Sequence, residues 1–461
     1  MKTIFLTIYD GDAEKNILRS DVFPILKKAD LRIILLVKKR FIDYYQKNFG
    51  DSKVIVEPLL SARSVSERIF YWIGWNTIPT YSIFLRRKQT YLYHHKNPFR
   101  YFFENILGFL GRFRLWRNFL RWIYFQIPDD YCLHYFKKYK PDLVFAPTMF
   151  SKEDGRILRL AKKLKIKTIT TVKSWDVLTT KAFTRVLADK ILVFNEYNKK
   201  EAIEIGDYKP EQVVVTGFPQ FDIYTKKEIL LPREEFFRKI GADPNKKLIL
   251  YASPGNWRTP YGHEVLLGLH KAIGDREIKE PVQVLIRFHP KYSSSAEYLT
   301  YLPNFILERP GLYLADDKHK SLEGATDKVF HWTFTDQDII HLANSIYHSD
   351  IVINTESTMT LDGAALDKPI ILIGYDGFQK LDYWQSILRK YKRNHYRYVF
   401  ENKGARLVKN LDELIEAVNS YLENPSLDSE GRESLRKRLM YRVDGNSGKR
   451  VAEAVLDCLN T

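Results

Sequence analysis

Continuous apolar runs alternate with amphipathic stretches along the first half of the chain. Residues 3–9 and 31–37 are mostly apolar and rich in β-branched or aromatic residues, as expected for strands covered on both faces. Residues 151–164 instead space their apolar side chains three and four positions apart, which predicts a helix with one buried face. This alternation predicts a parallel sheet with helices on both sides.

The same alternation starts again in the second half of the chain. Buried strands are predicted over 248–251, 282–286, 351–354 and 369–373. Thr335 and Asp338 have the spacing of a capping box at the start of a helix over 335–347. The predicted fold class is therefore α/β, with two Rossmann-like, doubly wound domains facing a cleft.

Gly217 and Pro219 mark the boundary between the two halves, because they follow a predicted strand and favour a turn or hinge. The alternation is also interrupted between about residues 64 and 140, which predicts a helical insert in the first half. The expected organisation is an N-terminal domain over 1–216, a linker over 217–245, a C-terminal domain over 246–445 and a C-terminal helix over 446–461.

The insert is rich in aromatic and basic residues. A long helix is expected from Pro98, a residue favoured in the first helical turn, with a wide apolar face along it. Arg114, Arg117 and Arg121 fall at three- and four-residue spacings, near Trp116, and therefore share one side of the helix. Such a helix suits an anionic membrane interface. The alternative is a helix packed on the N-terminal domain with its arginines solvated, and the two can coexist.

The charge of the chain favours an anionic partner. Lysine and arginine number 73 against 56 acidic residues, which gives a formal net charge of +17 and predicts attraction to nucleic acid, anionic lipid or a phosphorylated substrate. Nucleic acid is not expected, because the cations gather beside aromatic residues and no nucleic-acid-binding motif is found. With two cysteines, no signal-peptide pattern and no apolar run of spanning length, we expect a cytoplasmic protein that is peripheral on the inner membrane face.

Three short segments resemble the GT-B glycosyltransferase superfamily. Residues 213–222 are similar to its interdomain crossover, which is also found in UDP-N-acetylglucosamine 2-epimerases. Residues 286–291 resemble the His-Pro element of CDP-glycerol glycerophosphotransferases and bacterial surface-polysaccharide transferases, and 354–370 resembles the donor-binding loop and helix. The chain lacks the Trp-His-Gly pattern of the glycerophosphotransferases, and the Ser-Trp-Asp sequence at 174–176 stands in a comparable place.

The resemblance implies a nucleotide-donor site in the C-terminal domain, beyond the carboxyl ends of its strands. Arginine binds phosphate in a bidentate manner, and histidine can donate a hydrogen bond to a leaving diphosphate. Turn or helix-capping roles are the alternative for the same residues. The candidate donor-binding residues are Gly255, Arg287, His289, Lys291, Glu356, Ser357, Thr358 and Asp362.

The N-terminal domain is expected to bind the acceptor and to supply a general base. Asp10 and Asp12 follow the first strand, and a later polar loop contains Trp175, Asp176 and Lys181. Trp175 is predicted to stack on a sugar ring, while solvated loop acids are the alternative for the carboxylates. No metal or cofactor is expected, since Asp10 and Asp12 match a metal-binding Asp-x-Asp motif by spacing only. The catalytic candidates are Asp176, Asp12 and His289.

Together these features predict a metal-independent glycosyltransferase. Its partners would be a nucleotide-activated sugar, which donates the sugar from a nucleotide diphosphate, and an acceptor that is a surface glycan or is linked to lipid. Three alternatives remain open: a CDP-glycerol-type glycerophosphotransferase, a UDP-sugar 2-epimerase, and a non-enzymatic protein that binds polyanions. An epimerase would not need the basic insert.

Overall fold

The computed structural model describes residues 1–461 apart from 60–64, 129, 182, 254–258, 291–298, 300 and 321–325, and apart from the side chains of 315–320 and 326–331. The chain forms two compact units. The first unit combines Met1–Asp222 with Asn446–Thr461, and the second is Ile223–Gly445.

The first unit is built on a seven-stranded parallel sheet. Its strands are β1 (Lys2–Ile8), β2 (Leu31–Lys38), β3 (Val54–Leu59), β4 (Leu143–Ala146), β5 (Lys167–Thr171), β6 (Lys190–Val193) and β7 (Val213–Val215). Their spatial order is β3-β2-β1-β4-β5-β6-β7. Because β1 lies between β2 and β4, the strand order reverses beside it, as in the Rossmann fold.

The second unit repeats this topology with a six-stranded parallel sheet. Its strands are β8 (Lys247–Ser253), β9 (Val282–Phe288), β10 (Phe305–Glu308), β11 (Leu312–Lys320), β12 (Thr326–Thr333), β13 (Ile351–Asn354), β14 (Ile370–Ile373) and β15 (Arg406–Val408). The sheet has the order β10-β9-β8-β13-β14-β15, while β11 and β12 form a separate antiparallel pair that the sequence did not predict. The prediction of two Rossmann-like, doubly wound domains is confirmed.

Helices cover the sheets and form the insert. They are α1 (Gly11–Ala13), α2 (Val22–Lys28), α3 (Ile42–Phe49), α4 (Val65–Thr77), α5 (Tyr81–Lys88), α6 (Pro98–Leu110), α7 (Arg114–Gln126), α8 (Leu133–Tyr139), α9 (Lys152–Lys163), α10 (Val177–Thr180), α11 (Glu196–Glu204), α12 (Arg233–Ile240), α13 (Gly262–Gly274), α14 (Asp336–His348), α15 (Met359–Ala365), α16 (Asn394–Glu401), α17 (Leu411–Glu423), α18 (Ser429–Leu439) and α19 (Ser447–Asn460). In the described ranges, no helix is long and apolar enough to span a bilayer.

The C-terminal helix α19 is part of the first unit rather than a separate segment. Val451 and Val455 of α19 belong to the same buried cluster as Val22 of α2 and residues of β1 and β2. The Asp222 carboxylate accepts hydrogen bonds from the backbone N–H groups of Ser447, at 3.0 Å, and Gly448, at 2.7 Å. This contact fixes the first turn of α19, whose N–H groups lack partners within the helix.

Residues 223–245 do not form the expected linker. Phe236 and Phe237 of α12 are fully buried and share a core cluster with Leu248 and Leu250 of β8. Burying two phenylalanine rings stabilises the unit by several kcal/mol, on the order of 1.5–3 kcal/mol for each ring. The expected linker over 217–245 is therefore divided, with 217–222 in the first unit and 223–245 as a structural part of the second.

Two predicted helix starts are confirmed. Pro98 occupies the first turn of α6, and the side chain of Asn97 caps this helix by accepting the N–H of Arg100 at 2.9 Å. Thr335 and Asp338 form the predicted capping box at the start of α14, with reciprocal bonds of 3.1 and 2.9 Å. In both cases a short polar side chain accepts a backbone N–H that has no partner within the helix.

The insert is helical, as predicted, but the expected long helix is divided. α6 ends at Leu110 and α7 begins at Arg114. A Cβ atom at Gly111 would lie only 1.5 Å from the carbonyl oxygen of Thr77, at the end of α4. Only glycine allows this close approach, which holds the connection between α6 and α7 against the rest of the insert.

Candidate functional site

Arg287 and His341 hold Glu308 at the carboxyl edge of the second sheet. Arg287 lies near the end of β9, opposite Glu308, the last residue of β10. Its guanidinium forms an ion pair with Glu308, and Nε2 of His341 on α14 lies 2.6 Å from the other carboxylate oxygen. Burial alone would raise the pKa of Glu308, but Arg287 and His341 outweigh burial and lower the pKa to about 2. The carboxylate therefore stays charged and fixes the two basic side chains.

Arg287 retains hydrogen-bonding capacity in this position. Its side chain is only 6% exposed, and Nη2 has no hydrogen-bond partner among the described residues. A buried N–H group without a partner costs on the order of 1–3 kcal/mol. An anionic ligand oxygen at this point would remove that cost.

Glu356 occupies the loop that follows β13 and is 6% exposed. Arg393 forms an ion pair with its Oε1, and Nε2 of His395 lies 3.5 Å from the same oxygen. The Arg393 side chain is 27% exposed, so a ligand can reach it. Arg389 is nearby, and burial, with Arg393 adding to the effect, lowers the pKa of Arg389 to about 10.

The other residues of the predicted donor loop are organised by Tyr396. The backbone N–H of Ser357 donates to the Tyr396 hydroxyl at 2.7 Å. Thr358 is the residue before α15, but its side chain makes no capping hydrogen bond. Instead, the Ser357 hydroxyl accepts the N–H of Met359 at 3.3 Å. The simple capping interpretation of Thr358 is therefore not supported, whereas Ser357 does cap the turn.

Asp362 lies within α15 and is 6% exposed. It accepts a hydrogen bond of 2.7 Å from the hydroxyl of Tyr224. Burial, followed by the charge of Asp362, raises the pKa of Tyr224 well above its ordinary value. This contact joins the segment before α12 to the helix after β13, which gives Asp362 a structural use besides the predicted donor role.

His289 directly follows β9. Its backbone N–H donates to the Ser253 carbonyl at 3.0 Å, and its ring lies 6.3 Å from the ring of Trp332. The structure thus brings His289 to the carboxyl end of β8, next to β9. Gly255 and Lys291, which were also predicted to bind the donor, lie outside the described residues.

At the carboxyl edge of the first sheet, Lys173 lies between two carboxylates. Its Nζ is 2.5 Å from Oδ2 of Asp10 and 3.0 Å from Oδ2 of Asp12. Burial alone would lower the pKa of Lys173, but the two carboxylates outweigh it and raise the pKa above its ordinary value. In the described part of the chain, no group of three or more acidic, histidine or cysteine residues could hold a metal ion.

A small pocket lies beside Lys173 in the first unit. It is lined in part by Asn16, from the π-helical turn Glu14–Leu18, and by Thr171 and Phe194. The side-chain oxygen of Asn16 is buried and has no hydrogen-bond partner in the described part of the chain. It can therefore accept a hydrogen bond from a ligand hydroxyl. π-Helical turns are frequent at functional sites.

The loop predicted to bind the acceptor is only partly accessible. Trp175 is 4% exposed, and its carbonyl accepts a hydrogen bond from Asn198 at 2.9 Å. This burial does not support stacking of its ring on a sugar. Asp176 is half-buried at the start of α10, where its carboxylate accepts the hydroxyl of Thr180 at 2.9 Å. Lys181 is exposed just beyond α10.

The prediction that three arginines of the insert face a membrane is wrong for two of them. Arg117 and Arg121 are 7% and 8% exposed, and both form ion pairs of 2.6 Å with Asp207. Arg114 is 64% exposed and lies 3.8 Å from the same carboxylate. Trp116 is partly buried against the cluster that contains Leu120 of α7. The side of α7 that carries Arg117 and Arg121 therefore packs inward, because a buried acid from a distant loop provides their counter-charge.

Several residues of these clusters were not singled out from the sequence, among them Arg393, Glu308, His341 and Lys173. Arg393 ends a run of four cations in five positions, 389–393, and this run was an available signal. Glu308 and His341 gave no local signal, because strand pairing and helix packing bring them to Arg287. Lys173 directly precedes the Ser-Trp-Asp loop and could have been included.

Solved structures with the same fold align with nearly the whole chain. The UDP co-structure of MnaA from S. aureus is 13% identical, with 100% of this chain and 97% of that chain covered and a TM-score of 0.56. A putative UDP-N-acetylglucosamine 2-epimerase from Listeria monocytogenes is 11% identical, with 100% and 97% covered and a TM-score of 0.57. The wall teichoic acid polymerase TagF, a His-to-Asn variant with CDPG, is 12% identical, with 100% and 88% covered and a TM-score of 0.51. At these identities the likeness shows the fold.

The sequence itself matches one protein family, while no curated protein matches it. The model of CDP-Glycerol:Poly(glycerophosphate) glycerophosphotransferase matches residues 171–457, which is more than half of the chain. The matched region begins at the end of β5 and includes the whole second unit. The chain therefore belongs to the CDP-glycerol:poly(glycerophosphate) glycerophosphotransferase family, and it is a transferase with a GT-B-type fold.

Proposed function

We propose that this transferase moves a phosphorylated polyol from a CDP-activated donor to a hydroxyl group of a growing surface polymer. The family match carries this choice, since it covers the entire second unit and the Ser-Trp-Asp loop. The presence of CDPG in the TagF structure, which has the same fold, supports a cytidine-linked donor. The sugar transfer expected from the sequence becomes the second candidate.

We assign donor binding to the second unit. A diphosphate needs cationic hydrogen-bond donors that are already fixed in place. Glu356 fixes Arg393, and Glu308 fixes Arg287, so neither guanidinium has to be ordered when the donor binds. The remaining N–H groups of the two arginines, with His289 at the end of β9, would then donate to the phosphate oxygens. These cations would stabilise the leaving phosphate without a metal ion, so activity is expected to be unchanged, within about twofold, in a chelator.

The proposed reaction is a substitution at phosphorus. The acceptor hydroxyl oxygen attacks the phosphorus that carries the polyol, and a new P–O bond forms. The bond from that phosphorus to the bridging oxygen breaks, and CMP leaves with this oxygen. We assign Asp176 as the base that takes the acceptor proton, and the first unit, with Asp10, Asp12 and the pocket at Asn16, as the part that binds acceptor hydroxyls.

Sugar transfer remains the second candidate because the chain lacks the Trp-His-Gly pattern and has Ser-Trp-Asp at 174–176 in a comparable place. A carboxylate can take a proton from an acceptor hydroxyl in either reaction. In sugar transfer, however, the acceptor attacks a sugar carbon, and a nucleoside diphosphate leaves. The two candidates therefore differ in the nucleotide that they release.

The test is to identify that nucleotide. The purified chain is incubated with an acceptor polymer and either CDP-glycerol or UDP-N-acetylglucosamine, and released nucleotides are separated by anion-exchange chromatography. CMP released from CDP-glycerol, dependent on the acceptor, is the expected result. Release of UDP from the sugar nucleotide would instead establish the second candidate. If neither donor reacts and neither CMP nor UDP raises the melting temperature, both candidates are contradicted.

We also infer that the acceptor is a surface glycan or a lipid-linked polymer handled at the inner face of a membrane. The net charge of +17 supports attraction to an anionic surface. Polymer acceptors linked to lipid would then be available next to the enzyme.

A further inference from the structure

The insert exposes an unusual amount of apolar surface. The described chain has 21 large hydrophobic side chains that are exposed, and nine of them fall within residues 99–122. Soluble surfaces rarely expose contiguous patches of this kind without a partner. The nine are Phe99, Phe102, Phe103, Ile106 and Phe109 of α6, Phe113 of the connection, and Leu115, Phe119 and Trp122 of α7.

These side chains form regular helix faces. On α6 they are spaced three and four residues apart, and Leu115, Phe119 and Trp122 have the same spacings on α7. Phe113 lies with its ring 5.5 Å from that of Phe109, so apolar surface runs from α6 into the connection. We call these nine side chains the α6–α7 apolar face.

The opposite sides of both helices are fixed to the protein. On α6, buried Glu104 accepts the indole N–H of Trp72 at 3.0 Å. On α7, Arg117 and Arg121 are held by Asp207. Glu104, Arg117 and Arg121 therefore point inward while the aromatic residues point outward, the reverse of an ordinary surface helix. A change of helix orientation that would bury the apolar face would also break these buried hydrogen bonds and ion pairs.

The charge around the face is of one sign. Residues 65–126 contain ten lysine and arginine residues and two acids. Both acids, Glu67 and Glu104, are buried. The exposed charged residues of this segment are Arg68, Lys96, Arg100, Arg112 and Arg114.

We propose that the α6–α7 apolar face inserts into the interface of an anionic lipid bilayer. Aromatic side chains enter the boundary between headgroups and acyl chains, while the surrounding cations bind anionic headgroups. The strength of such binding rises with the buried apolar area and with the electrostatic attraction to anionic lipids. A second copy of the chain is a poorer partner, because a symmetric interface would bring the same cations together. This inference concerns attachment and is independent of which group the enzyme transfers.

The experiment is vesicle flotation of the full chain. Vesicles of phosphatidylcholine with about 30% phosphatidylglycerol are compared with vesicles of phosphatidylcholine alone. The wild-type chain should float with the anionic vesicles and bind them about tenfold or more tightly than the neutral ones. The double variant Phe102→Ser with Trp122→Ser should bind the anionic vesicles about tenfold or more weakly. Both side chains are exposed, at 66% and 60%, so the fold does not depend on them.

Phe378→Ser is the matched control, because Phe378 is 64% exposed but lies in the second unit. It should float like the wild-type chain. Wild-type flotation that is unchanged in the double variant would overturn the proposal. So would a wild-type dimer in sedimentation velocity that the double variant converts to a monomer, with no vesicle binding by either protein. Loss of flotation in the Phe378 variant as well would show that the effect is not specific to this face.

Discussion

The two sheets share one strand order but carry reversed charge arrangements at their carboxyl edges. In the first unit, one cation, Lys173, lies between the carboxylates of Asp10 and Asp12. In the second unit, two carboxylates each lie between an arginine and a histidine: Glu308 between Arg287 and His341, and Glu356 between Arg393 and His395. The same backbone framework thus presents acceptor oxygens on one sheet and N–H donors on the other.

Under the proposed function, this difference lets one topology serve two ligands. Carboxylate oxygens accept hydrogen bonds from hydroxyl groups, which suits a polyol or sugar acceptor at the first sheet. Guanidinium groups held by carboxylates suit phosphate oxygens, which supports the donor at the second. In this proposal the fold provides the position of each site, and the side chains at the strand ends determine its chemistry.

The largest expected effect comes from removing the accessible cation of the second sheet. Arg393→Ala should lower kcat/KM for the donor by about 100-fold, because a fixed guanidinium stabilises the leaving phosphate. Initial rates over a range of donor concentrations measure this. Arg397→Ala is the matched control, since Arg397 lies only four residues further along, on α16, is 77% exposed and pairs with exposed Glu401. The control should stay within about twofold of wild type. Wild-type kcat/KM in the Arg393 variant would show that the donor binds elsewhere.

Glu308→Gln should destabilise the second unit by about 3 kcal/mol, because it leaves Arg287 buried without its counter-charge. Urea unfolding, followed by circular dichroism, measures the change. The control Glu401→Gln removes an acid paired at an exposed site and should cost less than about 0.5 kcal/mol. Equal small effects in both variants would mean that the buried cluster is not what holds the cations in place.

The lowered pKa of Glu308 predicts the pH range over which this carboxylate stabilises the folded chain. The pKa of Glu308 is lowered from 4.5 to about 2 in the folded chain, so the unfolded chain takes up its proton first as the pH falls. Its contribution to stability is therefore complete above about pH 4.5 and is lost as the pH falls towards about 2. The difference in unfolding free energy between wild type and Glu308→Gln should shrink across this window. A difference that stays constant from about pH 5 to about pH 3 would contradict the assignment.

Much of the fold could be predicted because buried parallel strands are continuous apolar runs. The strands over 248–251 and 282–286 illustrate this, since local hydrophobicity alone marks them. Periodicity was less informative for α7. It showed that Arg117 and Arg121 share a side, but it could not show that this side is buried. That depends on Asp207, which is about ninety residues away in the sequence.

The residues of the candidate site that lie at strand ends could be predicted from the sequence, and their partners on other elements could not. Arg287 and Glu356 were found because they follow predicted strands, where parallel sheets bind ligands. Their partners come from other elements: Glu308 from the next strand, His341 from α14, and Arg393 from the segment before α16. Only tertiary contacts join these residues, so no spacing rule within the sequence could link them.

The smallest expected effect is at the first sheet, where Lys173→Met removes the shared cation. Lys173 is 32% exposed and its two partners are 35% and 39% exposed, so solvent screens the interaction and the cost should be about 0.5–1 kcal/mol. Adding Asp12→Asn should recover part of that cost, because it relieves the repulsion between the two carboxylates that the lysine no longer separates. Urea unfolding of the single and double variants measures both changes. Calorimetric titration with CDP should give the wild-type affinity for Lys173→Met. If CDP binding is instead lost in Lys173→Met, the diphosphate depends on the first sheet, and the contrast between the two edges does not separate donor from acceptor.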